Sequence, residues 1–123
     1  MTLEECYAAF GGDYGDVIGR LRSERMVQKF VLKFLDDPNY DALCRSLESG
    51  DVEAAFRAAH TIKGTCMNLG FAKLQHSGSL MTEALRSGDL AAARGLLRLV
   101  REDYECTVNA IRAFQAGLSA CFE

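Results

Sequence analysis

The chain has 123 residues, of which 49% are hydrophobic and 25% are charged, and its net charge is −3 at neutral pH. This size and composition are typical of a globular protein with one hydrophobic core, and the acidic balance gives no support to non-specific binding of nucleic acids. No apolar run approaches the ~20 residues that a transmembrane helix needs. Residues 1–6 lack the basic and then apolar pattern of a signal peptide, so we expect a cytoplasmic protein.

The N-terminal residues predict two short helices. Thr2 and Glu5 match a capping box that opens a helix ending at about Phe10, and Asp13 can cap a second helix ending at about Leu21. We interpret residues 1–21 as a helical extension and residues from about 22 to 121 as a helical bundle. Both belong to a single domain of residues 1–123.

Two further helices are predicted before the central part of the chain. A strongly amphipathic helix begins at Ser23 and is terminated by Pro38, the one proline of the chain. A shorter helix follows, in which the apolar positions recur at helical spacing: Tyr40, Leu43, Cys44 and Leu47.

Two junctions share one turn chemistry, Ser49-Gly50-Asp51 and Ser87-Gly88-Asp89. In each, the glycine can end one helix in the left-handed conformation and the aspartate can cap the next helix. Such tight turns make consecutive helices antiparallel. We therefore predict an all-α fold, an antiparallel up-down four-helix bundle with two short N-terminal helices and a long C-terminal helix.

The last two helices are predicted from about Ala72 to Arg86 and from Leu90 to about Ala120. Ser77 and Gly78 interrupt the apolar stripe of the first, which would allow close helix contact. The second is long enough to overhang the bundle. We expect a monomer, and the overhanging end is where contacts between two copies would be sought.

Five cysteines are scattered along the chain without a Cys-x-x-C pair or a cluster at zinc spacing: Cys6, Cys44, Cys66, Cys106 and Cys121. We expect them to be reduced and to serve as small core residues. A redox-responsive helical protein is an alternative that rests on these cysteines alone.

The helix after Asp51 carries the most informative pattern of the chain. One apolar stripe recurs at steps of three and four, through Val52, Ala55, Phe56, Ala59, Ile62, Cys66 and Leu69. His60 lies outside this stripe, and its neighbours one and two turns on are Lys63, Gly64 and Met67. A glycine inside a helix costs ~1 kcal/mol relative to alanine, so Gly64 requires a reason. A histidine with a cation and a residue without a side chain beside it suits a site that an anionic group approaches closely. The alternative is an ordinary surface histidine.

The segment His60-Thr61-Ile62-Lys63-Gly64, followed by Leu69-Gly70 and Leu74, resembles the histidine-containing phosphotransfer (HPt) domains of two-component phosphorelays. The resemblance covers roughly residues 17–112. On the following helix, Ser77-Gly78 and Met81-Thr82 stand where HPt domains often carry a Leu-Cys and a Leu-Glu pair, so no contacts of that helix are carried over.

The resemblance implies a phosphorelay intermediate. His60 would accept a phosphoryl group from the aspartyl phosphate of one receiver domain, such as that of a hybrid histidine kinase, and pass it to the receiver of a response regulator. Lys63 would stabilise the phosphoryl oxygens, and Gly64 would leave room for the receiver. Arg57 and Arg86 are further candidate contacts to the partner, and Met67 and Phe71 are each either an apolar contact to the partner or a core residue.

Magnesium is expected on the partner receiver, and we expect this chain to bind no metal or cofactor. Because no segment resembles a nucleotide-binding loop, we predict a phosphotransfer carrier without kinase activity of its own. The competing hypothesis is a non-catalytic helical adaptor that binds a receiver domain without carrying phosphate.

Overall fold

The computed structural model describes residues 1–120, which contain α-helices, one 3-10 turn and no strand. The all-α prediction is therefore confirmed, whereas Cys121 and the predicted end of the bundle at residue 121 lie outside the described residues. The helices in chain order are α1 (Leu3–Phe10), α2 (Tyr14–Leu21), α3 (Glu24–Lys33), α4 (Asn39–Ser49), α5 (Val52–Leu69), α6 (Ala72–Arg86) and α7 (Leu90–Ala120).

Most helix boundaries follow from local capping chemistry. Thr2 and Glu5 form both bonds of a capping box at the start of α1. Asp51 accepts a hydrogen bond from the Ala54 amide at 3.0 Å, and Asp89 caps α7 in the same way through Ala92 at 3.0 Å. The glycines before these aspartates, Gly50 and Gly88, have φ values of +79° and +76°, as their turns require.

The end of α3 differs from the sequence expectation. The α-helix stops at Lys33, and a 3-10 turn over Phe34–Asp36 leads to Pro38, which itself precedes α4. Asp37 is extended, with ψ at 123°, because the proline ring disfavours the helical region for the residue before it. Pro38 therefore changes the conformation of the residue before it, and the chain leaves the helical conformation at Asp37.

Helices α4 to α7 pack side by side in chain order, and α7 also contacts α4. Gly78 lets α6 approach α5 closely, since a Cβ at this position would lie 3.8 Å from Ile62 Cγ2 and 4.0 Å from the Lys63 backbone. The buried apolar side chains of all seven helices form one continuous core. Thus α5 is held between α4 and α6, and it also contacts α2 and α3.

The N-terminal helices take part in this core. Helix α1 packs on α7, and its Leu3, Cys6, Tyr7 and Phe10 are buried. On α7, Ile111 and Phe114 are also buried. Helix α7 reaches Ala120 as predicted, and α1 packs along it.

Cys6, Cys44, Cys66 and Cys106 are free thiols. Burial raises the pKa of Cys66 to about 12 and that of Cys6 to about 11. Both thiols therefore stay protonated near neutral pH and are poor nucleophiles.

Among residues 1–120, none of the helices combines the length and apolar character needed to cross a bilayer.

Candidate functional site

Helix α5 carries the candidate site and is fixed at both ends. Asp51 caps its first turn, and Gly70 ends it with φ at +70°. Its buried positions face α4 and α6, which leaves one exposed strip along the middle turns. His60 lies on this strip and is exposed, so the predicted histidine is accessible to a large partner.

The His60 ring lies against the ring of Phe56, one turn earlier on the same helix. The two ring centroids are 5.8 Å apart and the ring planes differ by 28°. The guanidinium carbon of Arg86, on α6, lies 5.1 Å from the centroid of the Phe56 ring, within the range of a cation–π contact. Phe56 therefore connects the histidine to α6.

Lys63 is half-buried, one turn beyond His60, and its backbone lies beside Gly78 of α6. No acidic side chain forms an ion pair with it within residues 1–120. Its ammonium group is therefore available to an anion brought by a partner.

Gly64 and Met67 complete the exposed strip. A Cβ at Gly64 would meet none of the described atoms within 4 Å, so the packing of this chain supplies no reason for a glycine there. The Met67 side chain is 47% exposed, two turns from His60. Together they leave an open, partly apolar surface next to the imidazole; this surface (His60, Lys63, Gly64 and Met67) is called the open face below.

The two candidate arginines are both engaged with acidic neighbours. Arg57 forms an exposed ion pair with Glu53 at 3.2 Å, and Arg86 forms one with Glu83 at 3.3 Å. Exposed pairs of this kind contribute little to stability. They do reduce the local positive charge that the sequence suggests around His60.

The structure changes the roles of two aromatic residues near the site. Phe56, placed there in the buried stripe, is only half-buried and contacts His60; its position four residues before the histidine was the available signal. Phe71 is fully buried, so of the two roles considered for it the core role is correct and the docking role is wrong.

The C-terminal end of α5 is fixed by the N-terminal helices. Arg20 donates hydrogen bonds to the carbonyls of Met67 and Asn68 at 2.9 and 2.6 Å, which satisfies acceptors left free at a helix end. The buried Tyr7 hydroxyl donates to the Leu69 carbonyl at 2.7 Å, and the Asp13 amide donates to Gly70 at 2.7 Å. We call Asn68, Leu69 and Gly70 the anchored end.

The described residues contain no group of three or more His, Cys, Asp or Glu side chains with metal-site geometry. The second histidine of the chain, His76, is exposed on α6 and has no hydrogen-bond partner among the described residues. Substitution of His76 is therefore a suitable control for substitution of His60, because both histidines are exposed and only His60 lies in the family motif.

The structure is thus a helical bundle that holds one imidazole outward, next to open space and to a lysine without an ion-pair partner among the described residues. The family described as the Hpt domain matches residues 26–113, more than half of the chain. The chain therefore belongs to the Hpt domain family, which functions in phosphotransfer within two-component phosphorelays and interacts with receiver domains of response regulators. No curated protein and no solved structure matches the chain significantly.

Proposed function

We propose that this protein is a phosphorelay intermediate in which His60 accepts a phosphoryl group from one receiver domain and passes it to another. The observation that carries the proposal is the exposure of His60 on the open face, within the segment that matches the family. We also infer an antiparallel up-down bundle of α4 to α7, because turns of two or three residues join these helices.

The proposed step is a direct transfer between nitrogen and oxygen. A neutral imidazole has one ring nitrogen without a proton, and this nitrogen is a nucleophile. As it attacks the phosphorus of an aspartyl phosphate, the N–P bond forms and the bond from phosphorus to the carboxyl oxygen breaks. The electron pair of that bond leaves with the carboxylate, and the reverse step returns the phosphoryl group to a second aspartate.

Phosphoryl transfer depends mainly on positioning and on stabilisation of the phosphoryl charge. Lys63 is suited to the second task, since its ammonium group has no ion-pair partner among the described residues and lies one turn from His60. Its donors would contact the phosphoryl oxygens on both the incoming and the outgoing step.

Positioning falls to Phe56 and Arg86. The Phe56 ring limits the rotation of the His60 ring by contact along one side, and the Arg86 guanidinium covers Phe56 from α6. The imidazole is then presented in a restricted orientation to the incoming phosphorus. Gly64 keeps the approach open, and Met67 offers an apolar contact to the receiver.

The decisive experiment compares His60→Gln with His76→Gln during incubation with a phosphorylated receiver domain. We expect His60→Gln to lose phosphate uptake completely while its helical circular dichroism is unchanged. We expect His76→Gln to take up phosphate like the wild type, and the label on the wild type to be lost in acid and retained in base. Labelling of His60→Gln at the wild-type rate would overturn the assignment.

A second comparison tests Lys63. Lys63→Ala is expected to slow transfer in both directions by about 10²-fold, the range seen when one charge-stabilising donor is removed. Arg112→Ala removes one positive charge from an exposed position on α7 and should leave the rate unchanged. Equal rates for the two variants would remove the proposed role of Lys63.

A further inference from the structure

The charges of the chain are strongly separated. Residues 20–33 contain five basic residues and one acidic residue, so this segment carries +4 while the rest of the chain carries −7 within the total of −3. The segment comprises the end of α2, the turn after it and the whole of α3. Its basic residues are Arg20, Arg22, Arg25, Lys29 and Lys33.

Four of these cations form an exposed stripe. Arg25, Lys29 and Lys33 recur at steps of four on α3 and so lie along one side of this helix, and Arg22 lies in the turn that precedes it. None of them has an ion-pair partner among the described residues. We call these four residues the basic stripe; its part on α3, from Arg25 to Lys33, extends about 12 Å.

An apolar cleft of about 540 Å³ opens beside the stripe, between α2, α3 and the C-terminal half of α5. Leu21, Phe30, Phe34 and Leu69 contribute its apolar walls, and Lys33 belongs to both the cleft and the stripe. The other basic residue of the cleft, Arg20, is already engaged by Asp16 at 2.7 Å and by two carbonyls of α5. Lys33 is therefore the cation that an anionic group can reach there.

One end of the cleft is acidic. Asp36 and Asp37 line it near Pro38, and Asp37 accepts two hydrogen bonds from Asn39. A carboxylate would be repelled at this end and attracted toward the basic stripe, which meets the cleft at Lys33. The surface thus has a direction, with acidic and apolar features at one end and basic features along the stripe.

We propose that the basic stripe and the adjoining cleft dock an acidic, amphipathic peptide segment of a partner protein. Apolar side chains of that segment would enter the cleft, and its carboxylates would pair with the stripe. This inference goes beyond the proposed function, because it concerns a surface other than the open face. Thr65 and Leu69, which line the cleft, lie about 7 and 13 Å along α5 from His60.

Two features favour a peptide over other anionic partners. A concave apolar site beside a row of cations matches a chain that presents both kinds of side chain at helical or extended spacing. A lipid surface would contact the stripe and leave the cleft empty. The charge of the stripe is also opposite to that of the remaining surface, so an acidic segment would be oriented as it approaches.

The test uses the full chain and a synthetic, fluorescein-labelled helical peptide with leucines on one face and glutamates on the other. We expect saturable binding that weakens with salt, and NMR shift changes at the amides of Leu21, Phe30 and Leu69. Lys29→Glu/Lys33→Glu should weaken binding about ten-fold. Arg45→Glu/Arg112→Glu makes the same change in net charge at exposed sites on α4 and α7, and should bind like the wild type.

Three results would overturn the proposal. The first is a set of shift changes centred on His60, Lys63 and Gly64 instead of the cleft. The second is binding of phosphatidylserine vesicles without binding of the peptide. The third is slower phosphotransfer from a receiver to His60 in Lys29→Glu/Lys33→Glu, which would make the stripe part of the receiver contact. Loss of labelling in His60→Gln remains an independent result, so the two proposals can fail separately.

Discussion

The open face and the anchored end lie on the same helix but are held in opposite ways. Around His60 and Gly64, the described chain leaves open space and contributes one ring and a few exposed ion pairs. At the anchored end, Tyr7, Asp13 and Arg20 donate hydrogen bonds to the backbone carbonyls of the last turn and of Gly70. Stability is therefore concentrated at the end of α5, where the proposed chemistry is absent.

This division has a physical reason. In the proposed relay, the surface around His60 accepts two different receivers in turn, so its own chain cannot cover it and it gains little stability from contacts. Its geometry must then be fixed from the ends of the helix that carries it. Substitutions at the anchored end should change the free energy of unfolding and leave transfer by the folded protein intact, whereas substitutions on the open face should do the reverse.

The largest effect on stability is expected for Gly70→Ala. Gly70 has a φ of +70°, and a Cβ there would lie 2.6 Å from the Asp13 carbonyl oxygen, so the free energy of unfolding should fall by about 3 kcal/mol. Gly88→Ala has a similar φ of +76° with nothing within 4 Å, and should lose only about 1.5 kcal/mol. Urea denaturation measures both; equal losses would show that the contact with Asp13 is unimportant.

A smaller loss is expected for Tyr7→Phe. This variant leaves the buried Leu69 carbonyl without its 2.7 Å hydrogen bond, which should cost about 2 kcal/mol. Tyr14→Phe is the matched control, because the Tyr14 hydroxyl has no hydrogen-bond partner among the described residues and its side chain is only half-buried. If the two variants unfolded at the same urea concentration, the Tyr7 bond would not stabilise the anchored end.

Alkaline pH should lower the free energy of unfolding, because two buried acidic groups lie in the core near the anchored end. The pKa of Cys66 is raised by burial from 9.0 to about 12, and burial also raises that of Tyr7. Above pH 9 the thiol of Cys66 stays protonated in the folded state but loses its proton in the unfolded state. The free energy of unfolding is therefore at its full value below pH 9 and falls as the pH rises above 9. One thiol accounts for up to about 1.4 kcal/mol per pH unit. Thermal unfolding from pH 8 to 11 should show a shallower decline for Cys66→Ala; an identical decline would contradict this account.

The smallest change in stability is expected on the open face and has the opposite sign. Gly64→Ala should stabilise the protein by about 0.8 kcal/mol, because alanine is the better helix former and no described atom lies within 4 Å of its methyl group. It should also slow phosphotransfer by crowding the receiver. Gly95→Ala on α7 is in equally open space and should gain the same stability with unchanged transfer. Unchanged transfer in Gly64→Ala would remove the steric role of this glycine.

The sequence predicts the helices well because the signals that define them are local. Asp51, Asp89 and Gly50 determine turns through contacts with residues three or four positions away, and the family motif around His60 is contiguous. The contacts missed by the sequence analysis join distant segments: Arg20 to Met67, and Tyr7 to Leu69. The spacing of apolar residues within one helix does not predict which other helix packs against its end.

Phe71 shows the same limit at a single residue. It follows Gly70 outside any helical stripe, so its sequence position is compatible with either solvent or core. In the structure its ring lies 5.0 Å from Phe10 and 5.1 Å from Phe34, between α1 and the turn after α3. Its burial depends on α1 folding back across the bundle.

The position of α1 also affects where this protein can be shortened. A fragment trimmed to residues 26–113, the stretch that matches the family, would lose Tyr7, Phe10 and Val17 from the interior together with Phe114. Phe71 would then face water, and the newly uncovered aromatic surface would favour aggregation. Recombinant work on the relay domain should therefore retain the first helix, even though the recognisable family segment begins well after it.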